Sequence, residues 1–102
     1  MQWPDYVKIR EVGPRDGLQN EDRFVPSQTK IKLLRALIRA GVSAIESTSF
    51  VHPRAIPQLS DAEVILDGIG DIPNGVVLSA LVGNVRGMQR ALNTGVREVM
   101  VV

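Results

Sequence analysis

Apolar residues recur along this chain at two spacings in turn, every second position and every third or fourth, and the switch predicts strands alternating with helices. Val7, Ile9 and Val12 alternate loosely with Lys8, Arg10 and Glu11, as in a short strand with unequal faces. A helix is predicted from Pro26-Ser27. Ile31, Leu34, Leu37, Ile38 and Val42 share one face of it, with Lys30, Lys32, Arg35 and Arg39 mostly elsewhere. Ser27 is placed to cap that helix and Gly41 to end it. Ala44 to Ser47 reads as a second strand, followed by a proline-punctuated loop to Pro57. Ser60-Asp-Ala-Glu63 fits a capping box and opens a second helix that ends around Gly68-Ile-Gly70. Val76 to Leu81 is the third strand. Asn84 caps a third helix whose Val85, Met88 and Leu92 share a face, Gly95 terminates it, and Glu98 to Val102 form a fourth strand. Strands alternating with helices in this way argue for βα units around a parallel sheet.

Composition narrows the class without changing that picture. The apolar share is 44% over 102 residues, enough for one small folded body and not for a closed eight-stranded barrel, which needs about 200 residues or more. Twelve basic and eleven acidic residues are spread along the chain for a net charge of +1. No basic stripe suited to DNA or RNA results, so nucleic acid is not an expected partner. No apolar run reaches the roughly 20 residues of a membrane span, so no membrane association is expected. The absence of cysteine removes any need for an oxidising compartment, and with no visible targeting signal the cytoplasm is the expected location.

The candidate chemistry lies just after the first strand. Gly13-Pro14 breaks the strand, Gly17 permits a second sharp bend, and between them stand an arginine and an aspartate, Arg15 and Asp16. In parallel α/β folds the loops at the carboxyl ends of strands carry function, because the sheet fixes them while they project from it. A cation and a carboxylate presented there can act on one ligand.

The run Glu11-Val-Gly-Pro-Arg-Asp-Gly-Leu-Gln-Asn-Glu21 closely resembles the signature of the 3-hydroxy-3-methylglutaryl-CoA lyase family, metal-dependent carbon–carbon lyases built on a TIM barrel. Residues 41–53, Gly-Val-Ser-Ala-Ile-Glu-Ser-Thr-Ser-Phe-Val-His-Pro, are similar to that family's second strand, an acidic residue followed by Thr-Ser-Phe-Val. Synthases of the wider superfamily share Arg-Asp-Gly but usually place Thr-Leu before it and Glu-Gln after it. Here Gly-Pro precedes and Leu-Gln-Asn-Glu follows, which favours the lyase branch. The implied fold class is α/β, the N-terminal part (about four βα units) of a TIM (β/α)8 barrel. Residues 1–102 would form the N-terminal part of a single lyase domain, truncated at strand four.

The resemblance implies cleavage of 3-hydroxy-3-methylglutaryl-CoA to acetyl-CoA and acetoacetate, as in leucine catabolism and ketone-body formation, with an acyl-CoA as the partner and a homo-oligomer in the full-length form. It assigns Arg15 and Glu46 as catalytic, Arg15, Gln19 and Ser49 as substrate-binding, and Asp16 as a ligand to a divalent metal, Mg²⁺ or Mn²⁺. The family's His-X-His pair, asparagine and cysteine have no counterpart here, since His52 is the only histidine and reads as a loop residue. The isolated chain is therefore expected to be inactive. Two alternatives stay open at this point: a lyase for a different 3-hydroxyacyl-CoA, and a non-catalytic half-barrel fragment. Trp3 and Tyr6 are expected to cover the barrel's amino-terminal end, and Gly83 stands before Asn84 where the family often has proline.

Overall fold

A computed structural model describes residues 2–102. Four strands, β1 (Arg10–Glu11), β2 (Ala44–Ser49), β3 (Val77–Val82) and β4 (Glu98–Val101), form one parallel sheet in the order β1-β2-β3-β4. Three helices connect them: α1 (Ser27–Arg39), α2 (Ala62–Gly68) and α3 (Val85–Leu92). Each parallel pair needs a crossover, and the chain supplies a helix each time, the βα repetition expected from its hydrophobic spacing.

The helices all pack on one face of the sheet. Ile31 and Leu34 of α1 meet Ile65 of α2 over Ile45 and Leu78, and Ala62 of α2 meets Ala91 of α3 over Phe50, Ala80 and Val82. The strand residues between these point the other way, and among them Arg10, Glu46, Ser79 and Glu98 are polar, beside the apolar Ala44, Leu81 and Met100. Register puts Glu46 opposite Ser79 and Ser79 opposite Glu98, so the three form a row across neighbouring strands. Arg10 reaches along that face to donate to Ser79 Oγ at 3.3 Å and Glu98 Oε1 at 2.7 Å.

One irregularity decides what this polar face carries. Between Glu46 and Thr48 the register with β3 shifts, making Ser47 an extra residue in β2. In an unbroken strand, residues three apart lie on opposite faces. The bulge instead returns Ser49, opposite Leu81, to the face of Glu46, and sends Thr48, opposite Ala80, to the helix side. Thr48 Oγ1 is buried there with no hydrogen-bond partner among the described residues, a local cost of about 1–3 kcal/mol.

Several local expectations give way to tertiary packing. The first strand is two residues long: β2 begins at Ala44 opposite Arg10, so residues before Arg10 have no strand beside them, and Val7 and Ile9 are exposed. Trp3 and Tyr6 are exposed in this segment too. Ser27 does not cap α1, where Pro26 holds the cap position. Its hydroxyl donates instead to Asp61 Oδ2 at 2.5 Å. Lys30 lies inside, not outside, because its ammonium donates to Asp61 Oδ1 at 2.7 Å and to the Gln58 carbonyl at 2.6 Å and sits 4.3 Å from the Phe24 ring centroid. Asp61 is thus engaged by α1, and the capping box at Ser60 does not form; α2 starts two residues later, after a 3₁₀ turn at Pro57–Leu59. In α3 the Asn84 cap is realised, its Oδ1 accepting from the Gly87 amide at 2.7 Å. The buried face, however, is Gly87, Ala91 and part of Met88, while Val85 and Leu92 are exposed. Gly41, at φ +98°, ends α1 as expected.

Candidate active site

Residues Gly13–Gly17 form a single π-type helical turn at the carboxyl end of β1, where a loop with a second bend at Gly17 is expected from the sequence. The Leu18 amide bonds back to the Gly13 carbonyl, and the amides of Arg15 and Asp16 bond to the Val12 carbonyl at 3.1 and 2.7 Å. Such wide turns are uncommon and recur at functional sites. The Gly13 amide donates to Glu11 Oε1 at 3.0 Å, which ties the start of the turn back to β1. Pro14 is buried and anchors the turn. Helical geometry continues to Gln19, which places it one turn after Arg15 on the same side.

Arg15, Asp16, Gln19 and Glu46 come together. Arg15 Nε donates to Glu46 Oε1 at 3.1 Å, and Nη2 lies 3.1 Å from the same oxygen. Arg15 Nη1 reaches Asp16 Oδ1 at 3.3 Å and Gln19 Oε1 at 3.5 Å. The Glu46 side chain is 9% exposed and that of Arg15 18%, whereas Asp16 is 55% exposed. A buried carboxylate in the sheet therefore fixes the guanidinium, and the aspartate beyond it opens to solvent. Both nitrogens converge on one glutamate oxygen, so Glu46 Oε2 has no hydrogen-bond partner among the described residues.

Ser49 shares the face of Glu46 but joins none of these bonds; its Oγ accepts from the Val51 amide at 3.2 Å. His52 is an exposed loop residue whose Nδ1 accepts from the Arg54 amide at 3.1 Å. No cluster of three or more His, Cys, Asp or Glu side chains suited to a metal ion occurs among the described residues. Asp16 offers a hard carboxylate oxygen, the donor type preferred by Mg²⁺ or Mn²⁺, and fits as one member of a larger ligand set.

Sequence reasoning passes over two features around this site. The first is the Arg10 contact with Ser79 and Glu98, which links three strands and has no motif to announce it. The second is a bidentate pair between helices: Arg90 Nε and Nη2 donate to Glu63 Oε2 and Oε1, each at 2.7 Å. Those bonds hold the Glu63 carboxyl below its ordinary range and raise the Arg90 guanidinium above its own.

A parallel sheet wrapped on one side by helices, with an arginine–carboxylate turn at the end of its first strand, defines a segment of a (β/α) barrel. Residues 6–102 match the family model described as HMGL-like, and the chain belongs to that family. It is 50% identical over 101 residues to the hydroxymethylglutaryl-CoA lyase of Bacillus subtilis, covering 99% of this chain and 33% of that protein. The crystal structure of the Bacillus subtilis HMG-CoA lyase superposes with a TM-score of 0.93, over 99% of this chain and 34% of that one. The HMG-CoA lyase of Acinetobacter baumannii, solved in complex with coenzyme A and 3-methylmalate, superposes at 0.91 with 39% identity, over 95% of this chain and 32% of that one. The chain thus spans about a third of the length of these relatives and matches the N-terminal part of their barrel. Neither the different-acyl nor the non-catalytic alternative gains support from them. No helix among the described residues is long and apolar enough to cross a membrane.

Proposed function

We propose that the protein carrying this segment cleaves 3-hydroxy-3-methylglutaryl-CoA to acetyl-CoA and acetoacetate, and that Arg15, Asp16 and Glu46 belong to its catalytic centre. The observation that carries the reading is the Arg15–Glu46 pair on the π-type turn, in a chain of the HMGL-like family.

The reaction sets the requirements. The tertiary hydroxyl gives up a proton, the bond to the thioester-bearing carbon breaks, and its electrons pass to the thioester oxygen as an enolate. Protonation of the enolate carbon gives acetyl-CoA beside acetoacetate. Negative charge grows on the thioester oxygen, and a preorganised guanidinium stabilises it more in the transition state than in the ground state. Arg15 is suited to this because Glu46 takes up its Nε side, leaving Nη1 held only by the longer contacts to Asp16 and Gln19. Glu46 acts as the orienting carboxylate, and its unpartnered Oε2 is the nearest candidate to accept the hydroxyl proton. Gln19 and Ser49 are assigned to the substrate pocket.

The family implies a divalent metal, which Asp16 would hold together with ligands from the rest of the protein. Bound there, Mg²⁺ or Mn²⁺ supplies polarisation of the substrate's hydroxyl and carboxylate oxygens.

The test is acetoacetate release from 3-hydroxy-3-methylglutaryl-CoA by the full-length protein, wild type against Arg15→Lys. Lysine keeps the charge but loses the planar fork, so turnover is expected to fall by about 100-fold or more, the usual scale for removing one oxyanion donor. Near-normal turnover by the lysine variant would remove Arg15 from this role.

A further inference from the structure

The Arg15 turn is anchored unequally at its two ends. At its entry the amides of Arg15 and Asp16 bond to the Val12 carbonyl, and the Arg15 side chain is fixed on Glu46 in the sheet. At its exit the turn runs out through longer bonds, from the Asn20 amide to the Gly17 carbonyl at 3.3 Å and from the Glu21 amide to the Leu18 carbonyl at 3.2 Å. Asp22 to Val25 then lead to α1 without a backbone–backbone hydrogen bond among the described residues, and Glu21 to Phe24 are exposed. Asp16 and Gln19 lie between these two ends.

One side chain from another part of the chain closes the exit. Gln58 Nε2 donates to the Glu21 carbonyl at 2.9 Å, and next to Glu21 the Asn20 side chain donates back to the Asp16 carbonyl at 2.9 Å. Gln58 is itself firmly seated. It lies in the 3₁₀ turn Pro57–Leu59, beside the buried Leu59, and its carbonyl accepts from Lys30 Nζ at 2.6 Å. Asp61 Oδ1 holds the same ammonium at 2.7 Å, and Asp61 Oδ2 accepts from the Ser27 hydroxyl. With side chains 3% and 9% exposed, Lys30 and Asp61 form the most deeply buried ion pair among the described residues. Breaking such a pair leaves an uncompensated charge inside the protein, so the Gln58 backbone has little freedom to move.

We propose that Gln58, seated by the Lys30–Asp61 pair, is a positioning residue for the catalytic turn: it fixes the exit and so places Asp16 and Gln19 relative to Arg15. The inference rests on the lyase reading of that turn and adds to it a residue outside both motifs. The residue type suits the task. Glutamine offers a neutral N–H donor to the Glu21 carbonyl, whereas glutamate, of the same size, has only acceptors and would repel it. Arg15 Nη1 meets Asp16 and Gln19 only at 3.3 and 3.5 Å, so a small displacement of the turn breaks both contacts. Misplacement of groups around a reacting substrate by about 1 Å costs up to about 100-fold in rate.

Lys30→Met would leave the Asp61 charge buried and unpaired and is expected to unfold the protein. The test is therefore made at Gln58, in the full-length protein. Gln58→Glu and Gln58→Lys are compared with wild type by hydrogen–deuterium exchange over residues 15–21, by steady-state kinetics with 3-hydroxy-3-methylglutaryl-CoA, and by thermal unfolding. In Gln58→Glu, exchange over residues 15–21 is expected to rise about two- to tenfold, the scale of one hydrogen bond. Its kcat/KM is expected to fall about tenfold, with the unfolding temperature and the exchange of α1 unchanged. Gln58→Lys restores an N–H donor and is expected to recover part of both effects. Unchanged exchange over residues 15–21 overturns the proposal. Faster exchange with wild-type kcat/KM overturns it as well and leaves the lyase reading intact. A wild-type protein without turnover, whose Gln58→Glu variant still exchanges faster there, sinks the lyase reading and keeps Gln58 as the anchor of the turn.

Discussion

At the scale of single residues, the arrangement of Arg15 on Glu46 separates two roles that a motif alone leaves merged. Arg15 meets only Oε1 of Glu46. In Glu46→Gln an amide oxygen can keep that contact, while the charge and the second carboxylate oxygen are lost. If Glu46 moves a proton as well as orienting Arg15, kcat is expected to fall by about 100-fold or more with KM nearly constant. Steady-state kinetics on the full-length protein measures this, and retention of most of kcat would leave Glu46 an orienting group alone. Glu63 gives a separate expectation. Its carboxyl lies below the ordinary value of 4.5 because Arg90 donates to it, so it binds a proton less readily in the fold than in the unfolded chain. Its contribution to stability is present above that value and disappears as the pH falls through the lower folded value. Glu63→Gln is accordingly expected to be slightly less stable at neutral pH, by under about 1 kcal/mol for a pair this exposed. The gap should narrow as the pH falls below 4.5, as urea midpoints across pH will show. Arg15, Asp16, Gln19 and Glu46 are legible in the sequence because each sits inside a contiguous motif. That Ser49 shares their face is not, since counting alternate positions from Glu46 assigns it to the opposite side and only the bulge at Ser47 restores it.

Elements follow the hydrophobic spacing in number and order, and depart from it where size matters more than polarity. The stripe Val85, Met88 and Leu92 marks a face of α3 by hydropathy, yet α3 seats Gly87 and Ala91 against the sheet. A small face lets the helix approach closely: a Cβ on Gly87 would lie 2.7 Å from the Phe50 carbonyl oxygen. Backbone cannot yield as a side chain can, so Gly87→Ala is expected to destabilise by about 1–3 kcal/mol, the usual cost of overpacking. Gly95→Ala, where nothing lies within 4 Å, serves as the control, and chemical denaturation compares the two. The capping box at Ser60 fails for a related reason. It is a local pattern, and Asp61 inside it is claimed by Lys30 and Ser27 of α1, more than 30 residues away in sequence. Local propensity yields to a buried ion pair whose rupture leaves a charge in the core.

For the whole molecule, the deciding fact is that the sheet has two open edges. β1 and β4 each pair on one side only, and exposed apolar residues lie near both, Tyr6, Val7 and Ile9 by β1 and Val101 and Val102 by β4. Barrels abolish such edges by closing, and the relatives are about three times as long as this chain. The alternation of strands and helices made a parallel βα architecture legible from spacing alone. Barrel membership was legible only through the motifs, because four βα units are equally the start of an open sheet. The catalytic consequence follows from ligand number: Arg15 and Glu46 are already paired, but Asp16 has no second or third metal donor among the described residues. Purified by itself, the 102-residue chain is therefore expected to show no acetoacetate release, with or without Mg²⁺, and to associate as its concentration rises, visible by sedimentation. Metal-dependent release from the isolated chain would mean that copies assembled through the open edges can rebuild a working centre from Arg15, Asp16 and Glu46 alone.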